Sequence, residues 1–254
     1  VMEARDARPV LDFAESLNLR MNPEPTGIKV WRGHGTGVIR EDGFLLHFVS
    51  GAPEGKYRQS GHRHLDHLSF TLSCSQGDIV LDSGTGSYYG NRANRDRFRG
   101  SSAHSGISHS QVEWAEISDL FEIKKPPVGV IDILEDGVRL SSNHPRLGKI
   151  SRIIRLIGGH IEIEDLLPEG ESELAFIVPS ECSEELTKEG YEIIGNGWSI
   201  VHSFEAENMD SIFQIGSAEA IFSNGYGTYE RGKRISARYI ESILAKTRIS
   251  IENT

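Results

Sequence analysis

Residues 61–73 read GHRHLDHLSFTLS, a histidine-rich motif followed by an alternating apolar segment. Apolar residues at 68, 70 and 72 alternate with hydroxyl-bearing residues, and this period of two predicts a strand with one buried face. The residues before the motif, APEGKYRQS at 52–60, are polar and contain glycine and proline, so no buried strand leads into it. The motif is therefore predicted to lie where a loop enters a β-sheet.

Similar short segments continue along most of the chain, separated by turn signals. The sequence EDG at 41–43 and 135–137, and NG at 196–197, are typical of hairpins. The predicted strands are 27–31, 38–40, 44–49, 68–73, 79–81, 107–117, 128–134, 138–140, 150–157, 161–164, 191–194, 198–201, 212–214, 220–223, 237–243 and 247–251. So many short strands with turns between them indicate an all-β fold, a large antiparallel β-sandwich.

Helical signal is scarce and lies near the N-terminus. Val10, Leu11, Ala14 and Leu17 form a partial stripe at helical spacing. We therefore expect a short helix or helical connector in residues 1–25 and one β-sandwich domain over residues 26–254.

Composition excludes several classes of function. The 254 residues carry a net charge of −10, which disfavours nucleic-acid binding over a whole face. No apolar run approaches the roughly 18 residues of a membrane-spanning helix, and the N-terminus VMEARDARPVLDF lacks the apolar core of a signal peptide. The isolated cysteines Cys74 and Cys182 form no thiolate cluster, and are either free thiols or one disulfide.

The motif itself fits two unrelated families. Residues 62–67, HRHLDH, match the HxHxDH pattern of metallo-β-lactamase-like hydrolases, in which a buried strand leads into the motif and a helix follows it. Here a polar loop precedes the motif and an alternating strand follows it. This reversed context disfavours the hydrolase interpretation.

A longer stretch resembles the C-terminal β-sandwich region of heparinase II/III-like polysaccharide lyases. The specific part is GHRHLDHLSFTLSCSQGDIVLDSGTGSYYGN at 61–91 with RDRFRGSSAHSG at 95–106. SNGYG at 223–227 and RIIRLIGGHIEIED at 152–165 give weaker support, and the resemblance extends from about Trp31 to the C-terminus. Complete members carry an N-terminal α/α toroid, so the resemblance implies a domain fragment or a shortened relative that holds one wall of the cleft.

The resemblance implies a metal site formed by His64, Asp82 and His104. A hairpin with its turn at residues 76–77 can bring the first two together, and His104 returns after an arginine-rich loop. Two imidazoles and one carboxylate suit zinc, with calcium or manganese as alternatives. The ion is expected to be structural and to hold the predicted loop at 83–103 against the sheet.

The resemblance also implies substrate-facing residues. His62 matches the cleft histidine, which needs a backbone bend to diverge from His64, because residues i and i+2 of a strand share a face. In a lyase that acts on uronic acids, such a histidine serves as base or as neutralising donor. Tyr88 is the candidate catalytic aromatic, and Arg97 and Arg99 are candidates for binding carboxylates or sulfates.

The sequence therefore predicts a polysaccharide lyase that cleaves an acidic polysaccharide by β-elimination, with heparan-like, alginate-like and bacterial capsule substrates all open. The alternative is a non-catalytic, metal-stabilised module that binds glycans or a partner. Family habit implies a bacterial periplasmic or secreted setting. Two departures, Gly86 where the family commonly has an aromatic and Ser105-Gly106 after His104, affect expected substrate contacts.

Overall fold

A computed structural model describes residues 26–41, 43–55, 62–89, 91–187, 190–205, 212–225, 227–240 and 244–251. The predicted helical connector at 1–25 lies outside the described residues. Within the described residues there are nineteen strands, one α-helix, and two short 3-10 turns at Arg32–His34 and Ser101–Ala103. The helix, α1, spans Arg92–Arg99 and has eight residues. In these ranges no helix has the length and apolar character needed to cross a membrane.

The strands are numbered in chain order. They are β1 (Gly27–Trp31), β2 (Thr36–Glu41), β3 (Phe44–Val49), β4 (Phe70–Cys74), β5 (Gly77–Val80), β6 (Ile107–His109), β7 (Glu116–Asp119), β8 (Glu122–Lys124), β9 (Gly129–Ile133), β10 (Gly137–His144), β11 (Gly148–Ile157), β12 (His160–Leu166), β13 (Ser172–Pro179), β14 (Ser183–Leu186), β15 (Gly190–Gly195), β16 (Trp198–Glu205), β17 (Ile212–Gly225), β18 (Thr228–Tyr239) and β19 (Leu244–Ile251).

These strands form large antiparallel sheets, so the predicted all-β sandwich is confirmed. One sheet is the meander β1-β2-β3-β4-β5, a second has eight strands in the order β14-β15-β16-β19-β12-β11-β10-β9, and a third has the order β17-β18-β13-β6. The hairpin β7-β8 stands apart as a two-stranded sheet.

One apolar core joins the three large sheets. It includes Phe48 and Phe70 of the five-stranded sheet, Ile154 and Ile249 of the eight-stranded sheet, and Phe176 of the four-stranded sheet, each 1% exposed or less. The alternation in β4 is as predicted, since Phe70 and Leu72 are buried and Thr71 and Ser73 are half-buried. Burial of these alternating faces is the main force that stacks the sheets.

Several parts of the predicted pattern are wrong, and strands β8, β13 and β14 have no predicted counterpart. The single strand predicted over 107–117 is two strands, β6 and β7, separated by a turn region. The two strands predicted at 212–214 and 220–223 belong to one long strand, β17. The arginine-rich segment predicted as a loop contains the helix α1, because Asn91 caps it by accepting from the backbone N–H groups of Ala93 and Asn94.

Candidate metal centre and adjoining cleft

The histidine motif is an irregular segment docked on the end of α1. The N–H of Leu65 donates to the carbonyl of Arg99 at 2.8 Å, and Nε of Arg99 donates to the carbonyl of Arg63 at 3.3 Å. Leu65 itself is buried in the core. The residues after the motif enter strand β4 rather than a helix, which is the reverse of the context expected for a metallo-β-lactamase-like site.

The bend in this segment separates the two histidines that strict extension would have placed side by side. His64 is half-buried and its ring centroid lies 5.2 Å from that of His104. His62 is exposed and its ring contacts Tyr88 instead, at a centroid distance of 5.3 Å. The two imidazoles therefore face different surroundings, which is the arrangement that separate roles require.

His64, Asp82 and His104 come together as predicted from the resemblance. One ligand atom from each residue lies within 4.8 Å of those of the other two. Nδ1 of His104 and Oδ1 of Asp82 are hydrogen-bonded at 2.7 Å. Asp82 follows strand β5, while His104 follows the 3-10 turn after α1, so the group joins the sheet to the helical segment.

Two of the three side chains, His64 and Asp82, favour the protonation states that metal binding requires. Burial, and then the neighbouring His104, lowers the pKa of His64 to about 3, so its imidazole is neutral at pH 7. Burial would raise the pKa of Asp82, but His104 and the backbone N–H of Gly84 hold it at about 2. Burial would lower the pKa of His104, yet Asp82 raises it above its ordinary value.

The residues fit a bound divalent ion. Nε2 of His104 is buried and has no hydrogen-bond partner among the described residues, which is costly for a polar atom and would be relieved by a metal. Two imidazole nitrogens and one carboxylate oxygen form a donor set that zinc accepts, with a fourth position left for water or another group.

The turn after β5 is held in place by a distant hairpin. The N–H of Gly84 donates to Oδ2 of Asp82 at 2.7 Å, which fixes the carboxylate. The N–H of Ser223 donates to the carbonyl of Ser83, and the N–H of Gly227 donates to that of Gly86, each at 2.8 Å. The two turn sequences that carried the resemblance, at 82–85 and 223–227, are therefore in direct contact.

Gly86, where the family commonly has an aromatic, faces the helix. A Cβ at this position would lie 2.8 Å from the ring of Phe98, and the backbone φ is +67°. Phe98 is buried and thus occupies the space beside the glycine. The ring of Phe98, from α1, therefore lies beside the position where the family commonly has an aromatic side chain.

Tyr88 and His62 belong to one aromatic cluster. Phe121, at the tip of the β7-β8 hairpin, stacks on Tyr88 at 6.4 Å with an interplanar angle of 17° and lies 6.2 Å from His62. The guanidinium of Arg95 lies over the rings of both Tyr88, at 4.6 Å, and Phe121, at 5.2 Å. Tyr89 contacts Phe121 edge-on at 6.1 Å.

The two predicted substrate-binding arginines occupy different places. Arg99 is fully buried, and its guanidinium donates to backbone carbonyls of Arg63, Asp119 and Leu120. This buried position does not support the predicted contact between Arg99 and substrate. Arg97 is exposed, on a face of α1 rotated by roughly 200° from Arg95, so the structure does not bring it into the His62 cluster.

Phe121 and Arg95 were not identified from the sequence as site residues. The sequence marks Arg95 only as part of an arginine-rich segment, and Phe121 lies beyond the predicted strand at 107–117. The available signal was an aromatic residue at the centre of a short turn, DLFE at 119–122. Its position beside the cleft histidine depends on contacts between segments that are far apart in the sequence.

Comparisons with known proteins agree with this architecture. A family model described as heparinase II/III-like, C-terminal, matches residues 24–249. The structure is similar to a heparan sulfate lyase from Pedobacter heparinus, with a TM-score of 0.72 and 12% identity, over 100% of this chain and 42% of that chain. It is also similar to a heparinase III structure with methylated lysines, with a TM-score of 0.70 and 15% identity, over 96% of this chain and 39% of that chain.

The chain thus spans about two fifths of the length of these solved structures. At such low identities the likeness shows the fold. No curated protein matches the chain by sequence.

Proposed function

The chain belongs to the heparinase II/III-like C-terminal family, and we propose that it is the metal-containing β-sandwich part of a polysaccharide lyase that acts on uronic-acid-containing polysaccharides. The observation that carries the proposal is the geometry around residues 61–104. His64 meets Asp82 and His104, while His62 turns away from them toward an exposed aromatic cluster.

In the proposed reaction His62 acts at the C5 carbon of the uronate. It takes the C5 proton, which becomes acidic once the charge of the uronate carboxylate is neutralised. The electrons of the C5–H bond form a C4–C5 double bond, and the C4–oxygen bond breaks. The leaving oxygen takes up a proton, and Tyr88, whose ring contacts His62, is the candidate donor among the described residues.

His64, Asp82 and His104 would hold the ion, with zinc as the first candidate and calcium or manganese as alternatives. Bound there, the ion supplies a structural cross-link between the β5 end and the segment after α1. The contribution of the protein is to present a neutral His64 and an ionised Asp82, which their pKa directions support at pH 7.

In our proposal the complete lyase site also includes residues from a second domain. The matched structures are more than twice as long, and a helical α/α toroid is the proposed partner domain that closes the cleft. Arg97, exposed on α1, is the candidate contact for a substrate carboxylate or sulfate. An acidic extracellular polysaccharide as substrate implies a bacterial periplasmic or secreted location.

The deciding experiment compares His62→Ala with His64→Ala. We expect about one zinc per chain in the wild type and in His62→Ala, and little or none in His64→Ala, by elemental analysis. His64→Ala should lower the melting temperature by several degrees, whereas His62→Ala should leave it unchanged. In the full-length protein, His62→Ala should reduce formation of unsaturated uronate products on heparan sulfate or alginate at least 100-fold.

Other results would redirect the assignment. Two metals per chain would favour metallo-β-lactamase-like chemistry, and equal loss of melting temperature in both variants would argue against separate roles. Binding of acidic polysaccharide without any unsaturated product would favour the second candidate, a non-catalytic glycan-binding module. That candidate draws support from the solvent-exposed rings of Tyr89 and Phe121, which suit sugar binding without catalysis.

A further inference from the structure

Three arginines of α1 donate hydrogen bonds to backbone carbonyls at the tip of the β7-β8 hairpin. Nη2 of Arg92 donates to the carbonyl of Ser118 at 2.9 Å, and Nε of Arg95 donates to that of Leu120 at 2.8 Å. Nη1 of Arg99 donates to the carbonyls of Asp119 and Leu120 at 2.8 and 3.1 Å. We call these three residues the arginine clasp.

The spacing of the clasp explains why it can act as a unit. Residues 92, 95 and 99 follow the i, i+3, i+7 pattern, so they lie along one face of the helix. Arg95 and Arg99 are 1% and 0% exposed, and burying a guanidinium is costly unless its donors are used. Nε of Arg95 and Nη1 of Arg99 donate to backbone carbonyls of the hairpin tip, so these contacts hold the hairpin whatever its side chains are.

The hairpin tip presents Phe121 to solvent beside the candidate cleft histidine. Phe121 is 41% exposed and Tyr89 is 71% exposed, although both are large aromatics. The ring of Phe121 lies 6.2 Å from that of His62 and is nearly parallel to that of Tyr88. The guanidinium of Arg95 lies over the rings of Tyr88 and Phe121. Arg95 thereby links the arginine clasp to the aromatic surface formed by Tyr88, Tyr89 and Phe121, which we call the platform.

We propose that Phe121, positioned by the arginine clasp, is a sugar-stacking subsite that binds a pyranose unit of the acidic polysaccharide next to the residue held at His62. This inference rests on the proposed function for the location of the reacting sugar. Phe121 is the specificity-determining residue, and Arg95 and Arg99 are positioning residues that act through it.

The chemistry of the platform favours a sugar ring as its occupant. The axial C–H groups of a pyranose form an apolar face, and an aromatic face with its negative quadrupole packs against such groups. The adjoining His62 offers a polar edge for hydroxyl or carboxylate groups. A chain of sugars that places one uronate at His62 must lay a neighbouring unit along this surface, where the rings of Phe121 and Tyr89 are open to solvent.

The test uses the full-length protein with heparan sulfate and alginate oligosaccharides. Phe121→Ala should raise KM about tenfold or more, with kcat changed by less than about threefold, because binding is lost without loss of the reacting groups. Phe121→Trp should restore KM to within about threefold of the wild type. Ile194→Ala, a change to another exposed apolar side chain on the eight-stranded sheet, is the matched control and should leave both constants unchanged.

The clasp is tested by Arg95→Lys and Arg99→Lys. Lysine keeps the charge but loses the planar fork, so both variants should raise KM in the same direction as Phe121→Ala. Arg231→Lys, at an exposed pair with Glu219, is the control and should have no effect.

A binding measurement separates this inference from the proposed function. Affinity electrophoresis in gels containing each polysaccharide should show retardation of the wild type that is lost in Phe121→Ala and recovered in Phe121→Trp. If retardation follows this pattern without any lyase product, the platform stands and the lyase assignment fails. If Phe121→Ala matches the wild type in KM and retardation, or if Phe121→Trp fails to recover either, the subsite is refuted.

Discussion

Single buried side chains in this protein carry strongly shifted pKa values, and His202 is a clear case outside the candidate site. It is 1% exposed, and its two ring nitrogens are hydrogen-bonded to Thr247 at 2.8 Å and to the Tyr239 hydroxyl at 2.6 Å. The ring of Tyr191 stacks on it at 4.6 Å. Burial, and then the charge of Arg152, lowers the pKa of His202 to about 3, so the folded protein holds this imidazole neutral.

The pKa of His202 predicts a pH dependence of stability. The ordinary pKa is 6.5, so between pH 6.5 and 3 only the unfolded chain gains the proton, and stability falls as the pH falls. At about 1.4 kcal/mol per pKa unit, this residue alone accounts for a loss of about 2 kcal/mol by pH 5. His202→Gln should therefore be less stable at pH 7, by about 1–3 kcal/mol, but should lose less stability on acidification.

Urea unfolding at pH 7, 6 and 5 measures this difference. The exposed His160 provides the control, since His160→Gln should keep the wild-type slope. Parallel stability curves for His202→Gln and the wild type would show that the histidine titrates alike in both states.

Strand β13 and helix α1 show why alternation of apolar and polar residues predicts most elements of the fold but not all of them. Strand β13 was missed because residues 174–178, LAFIV, are buried on both faces, so the period of two disappears. Helix α1 is not predicted because its buried face carries Arg95 and Arg99 beside a single apolar residue, Phe98, so it lacks the usual apolar stripe. Strand β3 lies where the alternation predicts it, whereas β4 begins at Phe70, two residues later than the predicted start at Leu68.

The turn between β5 and α1 supports a prediction at the scale of elements. Gly84 has φ +70°, and a Cβ there would lie 2.0 Å from the carbonyl oxygen of Ser223. Gly84→Ala should push the β17 end away from this turn, cost about 2–4 kcal/mol, and lower metal content, because the N–H of Gly84 holds the Asp82 carboxylate.

Gly158→Ala is the matched control for this change. Gly158 has φ +59° but nothing lies within 4 Å of a Cβ there, so alanine should cost only about 1 kcal/mol and leave metal content intact. Urea unfolding and elemental analysis give both readouts. Equal costs at the two glycines would mean that backbone conformation, and not the contact with Ser223, accounts for the effect.

Across the whole molecule, a buried ion pair connects the eight-stranded sheet to the segment after the histidine motif. Nε and Nη2 of Arg152 donate to the carboxylate oxygens of Asp165 at 2.7 and 3.0 Å, and both side chains are fully buried. Nη1 of Arg152 donates to the carbonyl of Leu68 at 2.6 Å. Leu68 has φ +57°, an uncommon conformation for leucine, and lies directly before β4.

Breaking this pair should destabilise the entire fold. Asp165→Leu leaves a buried, uncompensated guanidinium, and we expect a loss of about 3–5 kcal/mol in the free energy of unfolding. The double variant Arg152→Met with Asp165→Leu removes both charges and should recover a large part of that loss. Arg231→Met, at an exposed pair with Glu219, should cost less than about 1 kcal/mol.

Urea unfolding of Arg152→Met, of Asp165→Leu and of the double variant gives the coupling energy between Arg152 and Asp165. Additive losses would show that the two side chains do not act as a pair. A loss of metal content in Arg152→Met without global destabilisation would instead place the main role of Arg152 at Leu68.

The amino-acid sequence predicts the all-β class and most strand positions, and its family resemblance predicts the residues that meet at the candidate metal centre. These features are local or are carried by a long resemblance: alternation reports one buried face, and the segment at 61–104 contains all three candidate ligands. The helix in the arginine-rich segment, its hydrogen bonds to the β7-β8 hairpin and the position of Phe121 beside His62 become visible only in the folded structure. Those outcomes depend on hydrogen bonds and ring contacts between residues 20 or more positions apart, and periodicity along the chain carries no information about such contacts.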